Sequence, residues 1–285
     1  MLRRRLWRLG LAGTAALLAV GLAPGALAHG ASGSAASSAT LSIGYPSPGA
    51  VVTTTDIPVR VVVSGFTVAC DEAGAPDREG TGHIHAMLDG MSMAQLINFY
   101  CSQEFTISGE GVSPGQHTLT VDLASNTHMD MEDTAKSVTF LYQPTVAPAG
   151  LPAANPATGA TVAITAPTNG ATVGPHFNLV VQATSFTPSC NLEGKQNVAG
   201  YGHYHVFVDM SMGGGGQAGS MMSMAGMISM PCTNVIPVDL SAWPSGQHTL
   251  AVELEQNDHT PLMDPGAKEP KLATIELTLQ NPYRP

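Results

Sequence analysis

Residues 80–89 read Gly-Thr-Gly-His-Ile-His-Ala-Met-Leu-Asp, and residues 200–209 read Gly-Tyr-Gly-His-Tyr-His-Val-Phe-Val-Asp. In both stretches a Gly-x-Gly-His-x-His motif leads into an alternating run that ends at an aspartate. Successive side chains of a β-strand point to opposite faces, so the two histidines of each motif share a face. In the second stretch Tyr204, Val206 and Val208 share the opposite face, which is apolar enough to be the core face. Each stretch therefore predicts a strand that projects two imidazoles together.

The similarity extends outward from these stretches, so the chain contains two copies of one domain. Cys70 recurs as Cys190, and the run Gly-Gln-His-Thr-Leu occurs at 115–119 and again at 246–250. The offset between the copies is 120 residues as far as Asp89 and 131 residues from Cys101 onward. The second copy therefore carries an insertion, the Gly/Met/Ser tract at 213–224.

The repeat and the composition of the connecting segments give the expected domain boundaries. We expect a signal peptide at 1–28, a flexible leader at 29–41, a first repeat at 42–143, a Pro/Ala-rich linker at 144–160, and a second repeat at 161–285 with a Met/Gly-rich loop at 210–230.

Short β-branched runs separated by turn residues fill each copy. They lie at 59–63, 117–123 and 138–142 in the first copy, and at 178–181, 248–254 and 273–279 in the second. No segment has the length and 3.6-residue period of a good helix. The predicted fold is all-β, with two tandem immunoglobulin-like β-sandwich domains after a cleaved signal peptide.

The N-terminus has the three parts of a secretory signal: four arginines in the first eight positions, an apolar run, and the small residues Ala26 and Ala28 around Leu27. The apolar run is shorter than a membrane span needs, so we expect a secreted or extracytoplasmic protein with no membrane span. The formal net charge is −10 and becomes more negative once the arginine-rich segment is removed. Such a chain repels a phosphate backbone, which argues against a nucleic-acid partner.

Each copy contains two of the four cysteines. In an exported chain this arrangement predicts one disulfide per repeat, Cys70–Cys101 and Cys190–Cys232. Free thiols or metal thiolates are the alternative.

Eight of the ten histidines fall at equivalent positions of the two copies. They are the candidate metal ligands His83, His85, His117 and His128, and His203, His205, His248 and His259. A His-x-His pair on a strand, closed by a third ligand from elsewhere, is a way in which β proteins hold copper or zinc. A strand start and the loop beyond its end lie roughly 20 Å apart, which argues against one four-histidine site and leaves two of the four open to a structural role. The alternative is a structural network in which the histidines bond to carboxylates such as Asp89, Asp122, Asp130 and Glu132.

Methionine favours the metal interpretation. Thioethers are soft ligands that select Cu(I) over zinc, and closely spaced methionines in a Gly-rich exported loop can converge on one ion. The candidate methionine ligands are Met210, Met212, Met221, Met222 and Met224. The alternative for this loop is an adaptable hydrophobic surface that binds a protein partner.

The motifs Gly-x-Gly-His-x-His and Gly-x-His-Thr-Leu, followed by Asn-x-His or Asp-His, resemble a little-characterised family of exported bacterial domains. The resemblance covers most of each copy and implies a small β-sandwich outside the cytoplasm. It implies no activity, and the Met/Gly insertion is not part of its pattern. The His-x-His pairs are also similar to a strand of copper–zinc superoxide dismutases, but the closely spaced histidines of that family's zinc loop are missing, so we expect no enzyme.

The sequence thus predicts a secreted protein that binds a metal ion, copper in preference to zinc, for delivery, storage or resistance. The alternative function is a non-catalytic cell-surface structural or adhesion module in which the histidines only hold loops in place.

Overall fold

The computed structural model describes residues 39–155, 159–210 and 224–284. Within these ranges the regular structure is β, apart from the two 3-10 turns Met93–Gln95 and Cys190–Leu192. The prediction of an all-β chain with two β-sandwich repeats is confirmed. The predicted signal peptide lies outside the described residues.

The first repeat contains nine strands. They are β1 (Thr40–Tyr45), β2 (Val51–Val52), β3 (Ile57–Ser64), β4 (Thr67–Val68), β5 (Thr81–Leu88), β6 (Leu96–Tyr100), β7 (Glu104–Ile107), β8 (Gly115–Ser125) and β9 (Asp130–Tyr142). One sheet has the order β1-β3-β7, and the other has the order β2-β9-β8-β5-β4 with β6 also paired to β5.

The second repeat has the same topology. Its strands are β10 (Thr161–Ala166), β11 (Ala171–Val173), β12 (His176–Thr184), β13 (Thr187–Pro188), β14 (Tyr201–Val208), β15 (Met227–Ser229), β16 (Val235–Asp239), β17 (Gly246–Glu255) and β18 (Leu272–Leu279). The sheets have the orders β10-β12-β16 and β11-β18-β17-β14-β13, and β15 pairs with β14. The His-x-His strands β5 and β14 therefore occupy equivalent places.

Each sandwich has its own core between its two sheets, and the alternation along β5 and β14 decides which side chains enter it. Ile84, Ala86 and Leu88 lie in the first core, and Tyr204 and Val206 lie in the second. The histidines of both strands consequently point away from the cores, as the period of two requires.

The outward faces of β5 and β14 are nevertheless buried, because the two repeats pack against each other there. Buried side chains of both repeats form one apolar group, the interface cluster. Its members are Met87 and Leu96 from the first repeat, and Phe207, Met227, Met230 and Ala251 from the second. The repeats belong to one compact unit, so the sheet faces that carry the histidines are covered.

Polar contacts also join the repeats. Asn98 Nδ2 donates to Glu193 Oε2 at 2.9 Å. Lys195 Nζ donates to the carbonyl oxygens of Ser108, at 2.8 Å, and Glu110. These bonds satisfy buried polar groups of one repeat with partners from the other.

Both predicted disulfides are present, Cys70–Cys101 and Cys190–Cys232. Disulfides persist in oxidising compartments, which fits an extracellular or periplasmic protein. Among the described residues, the structure contains no helix long and apolar enough to cross a membrane.

Candidate metal centres

His83 and His85 on β5 and His128 in the loop after β8 form a first buried cluster, the repeat-1 cluster. The Nε2 atoms of His83 and His85 are 3.1 Å apart, and one nitrogen from each of the three rings lies within 4.8 Å of the others. His128 has a φ of 63°, a left-handed conformation that turns its ring back toward the strand. The ring of Phe99 packs against His83 and His128 and closes the cluster on one side.

The equivalent residues His203, His205 and His259 form the repeat-2 cluster. His203 Nε2 lies 3.0 Å from His205 Nε2 and 3.0 Å from His259 Nδ1, and His205 Nε2 lies 3.2 Å from His259 Nδ1. Three imidazole nitrogens bound to one tetrahedral metal ion, each about 2.0–2.1 Å from it, lie roughly 3.3 Å apart. The triangle of nitrogens is therefore close to the size that a metal ion requires.

The loop histidine of each cluster is held by the other repeat. His128 Nε2 donates to the carbonyl oxygen of Met227 at 2.8 Å, and His259 Nε2 donates to the carbonyl oxygen of Leu96 at 2.7 Å. Because a carbonyl only accepts, the proton of each neutral ring lies on Nε2 and its lone pair on Nδ1. In the repeat-2 cluster, Nδ1 of His259 is the atom that faces His203 and His205. Nδ1 of His128 is buried and has no hydrogen-bond partner among the described residues, so each repeat leaves the loop histidine of the other with a lone pair that can bind a metal ion.

A carboxylate fixes the tautomer of a second ring in the repeat-1 cluster. His85 Nδ1 donates to Asp130 Oδ1 at 2.8 Å, so the Nε2 of the neutral ring, which faces His83, carries a lone pair. In the repeat-2 cluster, His205 Nδ1 lies 3.6 Å from Glu255 Oε1. Carboxylates behind ligating imidazoles orient the ring and raise its basicity in metal sites.

Burial keeps most of these rings neutral. It lowers the pKa of His128 to about 3 and of His259 to about 4, and it lowers the pKa of His83, His203 and His205 below the ordinary value. Neighbouring imidazoles reinforce the effect, since two charged rings side by side repel. Neutral imidazole is the form that binds metal, so at pH 7 these nitrogens do not have to lose an extra proton first.

The two clusters also influence each other. Burial is the largest cause of the lowered pKa of His205 in the second repeat. The charge on His259 comes next, followed by the charge on His128 of the first repeat. Charge on His85 similarly contributes to the lowered pKa of His259. The clusters therefore lie close enough across the interface for the charge in one to affect the other.

Buried carboxyl groups surround the clusters. Burial raises the pKa of Asp122 to about 6 and of Glu253 to about 7, and it raises that of Glu255 well above the ordinary value. Glu253 and Glu255 interact through a side-chain hydrogen bond, in which the protonated carboxyl group of one donates to the other. A cation nearby would favour the ionised form of these groups and lower their pKa values.

The structure does not bring His117 and His248 into either cluster, contrary to their inclusion among the predicted ligands. His117 contacts Asp89 Oδ2 through Nδ1 at 2.6 Å and the carbonyl oxygen of Ser113 through Nε2 at 2.8 Å. His248 makes the matching contacts with Asp209 and the carbonyl oxygen of Pro244. Both ring nitrogens of each histidine face acceptors. These histidines therefore hold the starts of β8 and β17 in place and present no lone pair to a metal ion.

Two of the five predicted methionine ligands, Met210 and Met224, lie among the described residues. Met210 and Met224 pack against the interface cluster, where they fill space between apolar side chains. Met212, Met221 and Met222 lie outside the described residues.

A third group of potential donors is ruled out by its chemistry. Cys190 and Cys232 lie with Glu193 within the distance that a metal site requires. Both sulfurs are already joined to each other in a disulfide, so neither can serve as a thiolate ligand.

Sequence reasoning missed the contributions that cross the interface and those of two glutamates. Leu96 and Met227 act through their backbone carbonyls, which leave no mark in the sequence. Glu253 and Glu255 alternate with the core residues of β17 and share a face with Ala251. That alternation is the signal that could have identified them. Acidic residues on the outward face of a strand paired with a His-x-His strand lie on the same side of the sheet as the histidines.

Comparisons with known proteins give no family. No protein-family model matches the chain, and no curated protein matches it.

Solved structures with similar architecture include modules of immunoglobulin and fibronectin type. Fibronectin(III)-like modules of Clostridium thermocellum CbhA are 13% identical with a TM-score of 0.26, and the match covers 84% of this chain and 95% of that one. The N-terminal four immunoglobulin domains of Dscam1 are 11% identical with a TM-score of 0.20, covering 84% and 46%. A tetra-tandem repeat from the extending region of a large adhesion protein is 12% identical with a TM-score of 0.21, covering 86% and 49%. At these TM-scores the similarities carry no argument about function.

Proposed function

We propose that this is an exported, non-catalytic copper-binding protein that holds one copper ion in each histidine cluster, for delivery, storage or resistance. The observation that carries the proposal is the convergence of three imidazole nitrogens, 3.0–3.2 Å apart, in the repeat-2 cluster. The repeat-1 cluster has the same three histidines at equivalent positions. In the absence of an ion, one imidazole N–H of His203 can be shared with the ring nitrogens of His205 and His259. A bound metal ion would take the place of that proton and use all three nitrogens as ligands.

The donor set favours copper over zinc. Imidazole suits both ions, but for a given nitrogen site Cu(II) binds more tightly than Zn(II). Each cluster supplies three histidine nitrogens, one fewer than the four protein ligands of a structural zinc site, but three histidines also hold catalytic zinc, so the number of ligands argues only against structural zinc. The methionines at 210–230 are soft donors that suit Cu(I), and we propose that this segment helps to load or pass on the ion.

Titration with Cu(I) in the presence of a competing chelator tests the proposal. We expect two ions per chain, with dissociation constants well below micromolar. The double substitution His83→Ala/His85→Ala should remove one ion, and His203→Ala/His205→Ala should remove the other, because each pair supplies two of three ligands.

The matched control is His117→Ala/His248→Ala, which removes two histidines that lie outside the clusters. It should leave both ions bound. No binding tighter than about micromolar, or an equal loss in this control, would contradict the proposal and leave the structural or adhesion module as the function to pursue.

A further inference from the structure

His85 belongs to two groups of potential metal ligands at once. Its Nε2 faces His83 in the repeat-1 cluster. Its Nδ1 faces Asp122 and Asp130, and these two carboxylates and the ring nitrogen lie within 4.8 Å of one another. The imidazole of His85 thus stands between the other two rings of the repeat-1 cluster on one side and two carboxylates on the other.

The two carboxylates are held by the strands next to His85. Asp122 on β8 is the direct cross-strand partner of His85, and its Oδ1 lies 4.0 Å from His85 Nδ1. Asp130 begins β9, and its Oδ1 lies 2.8 Å from the same nitrogen. The side chain of Asp130 is 42% exposed, so water can reach this side of the ring and complete a coordination shell.

Asp122 is not explained by a role in orienting His85. It is only 5% exposed, and its Oδ1, the atom directed at His85, has no hydrogen-bond partner among residues 39–155, 159–210 and 224–284. Asp130 alone suffices to hold the Nδ1 proton of His85. A buried oxygen without a donor is costly, which indicates a cation as its missing partner.

We propose that the first repeat binds a second, divalent cation between His85, Asp122 and Asp130, and that His85 bridges it to the ion in the repeat-1 cluster. This inference rests on the proposed function of that cluster. On binding, the Nδ1 proton of His85 leaves to solvent and its lone pair goes to the second ion. One nitrogen and two carboxylate oxygens suit Cu(II) or Zn(II), and they do not suit Cu(I), which prefers softer donors.

The second repeat does not offer the same group. Ala124 pairs with Asp130 in the first repeat, and the equivalent bridge in the second repeat joins Glu255 to Pro261. The half-exposed carboxylate is thus replaced by proline, and the carboxylate that pairs with His205 Nδ1 is the buried Glu255. The described part of the second repeat contains no equivalent group of one histidine and two carboxylates.

Loading with Cu(II), read by metal content and by electron paramagnetic resonance, tests the inference. The wild-type chain should bind three Cu(II) ions. Two Cu(II) ions bridged by an imidazolate couple antiferromagnetically, so the integrated signal should correspond to about one ion, that of the repeat-2 cluster. Asp122→Asn/Asp130→Asn should bind two ions, because the amide oxygen introduced at position 130 still accepts from His85 Nδ1 and keeps Nε2 free for the repeat-1 ion. Both ions should contribute to the signal.

Asp133→Asn, an exposed neighbour on β9, is the matched control and should behave as the wild type. If the double variant does not fold, Asp130→Asn alone changes only a half-exposed side chain and should also lower the content from three ions to two. Two Cu(II) ions with full signal in the wild type, or three ions in Asp122→Asn/Asp130→Asn, would overturn the inference while leaving the proposed function intact. No bound copper would overturn both.

Discussion

Cu(I) at 1,000 times its dissociation constant is expected to raise the unfolding temperature of the protein by about 15–30 °C. A ligand that binds only the folded state at this excess contributes about 4 kcal/mol per site, so two clusters contribute about 8 kcal/mol. For a protein of this size each kcal/mol corresponds to about 2–4 °C. The effect is large because all three ligands of a cluster come together only in the folded chain.

Removing the loop ligand from both clusters tests this expectation. In His128→Ala/His259→Ala each cluster keeps two nitrogens, and the shift on adding Cu(I) should fall below about 5 °C. His176→Ala is the control, because this histidine is exposed and pairs with Asp239 away from the clusters. Differential scanning calorimetry with and without Cu(I) gives the comparison. A shift of the same size in the double variant would show that copper stabilises the protein from somewhere else.

Gly74→Ala and Gly194→Ala are each expected to destabilise the protein by about 3 kcal/mol or more and to weaken copper binding by about 10–100-fold. A Cβ on Gly74 would lie 2.7 Å from the carbonyl oxygen of Met227, and one on Gly194 would lie 2.6 Å from that of Leu96. These carbonyls are the ones that accept from His128 and His259. The new methyl group would force the repeats apart at the points where each repeat fixes the other's loop histidine.

Two other glycines serve as controls that separate the effect of this clash from the effect of backbone strain. Gly170 is the control for Gly74, because both have a φ of +78°. Gly80, with a φ of +71°, is the control for Gly194, with a φ of +70°. A Cβ at either control position would meet nothing within 4 Å among the described residues. Gly170→Ala and Gly80→Ala should therefore cost only the strain of a left-handed alanine, about 1–2 kcal/mol. Urea denaturation and copper titration of the four variants make the comparison, and equal effects at all four positions would refute a special role for the interface glycines.

Much of the fold could be predicted because its determinants are local. The alternation of Tyr204, Val206 and Val208 with the histidines marks a strand with one core face, and the structure places these three residues in the second core. One cysteine pair per repeat was enough to predict both disulfides. Repetition made these patterns more reliable, since each appears twice in the chain.

The candidate clusters could be predicted only in part. His83 and His85 share a face by strand period, but the sequence could not separate His128, which joins them, from His117, which does not. The difference depends on where the β8–β9 loop folds, and this follows from the left-handed turn at His128 and its bond to the other repeat.

The packing of the repeats could not be predicted, for a related reason. Met87 and Phe207 continue the histidine faces of their strands, and a mixture of imidazole and apolar side chains does not reveal whether solvent or another domain covers it. The covering repeat supplies main-chain acceptors, at Leu96 and Met227, which no residue type encodes. The sequence therefore indicated ligands but not the interface that orients them.

Anomalous diffraction at the copper edge, from crystals of the protein loaded with Cu(I), tests the central claim most directly. We expect two copper peaks per chain, each within bonding distance of three imidazole nitrogens. One peak should lie among His83, His85 and His128, and the other among His203, His205 and His259. Copper found only at the methionines of the 210–230 segment or at surface histidines, with neither cluster occupied, would contradict it.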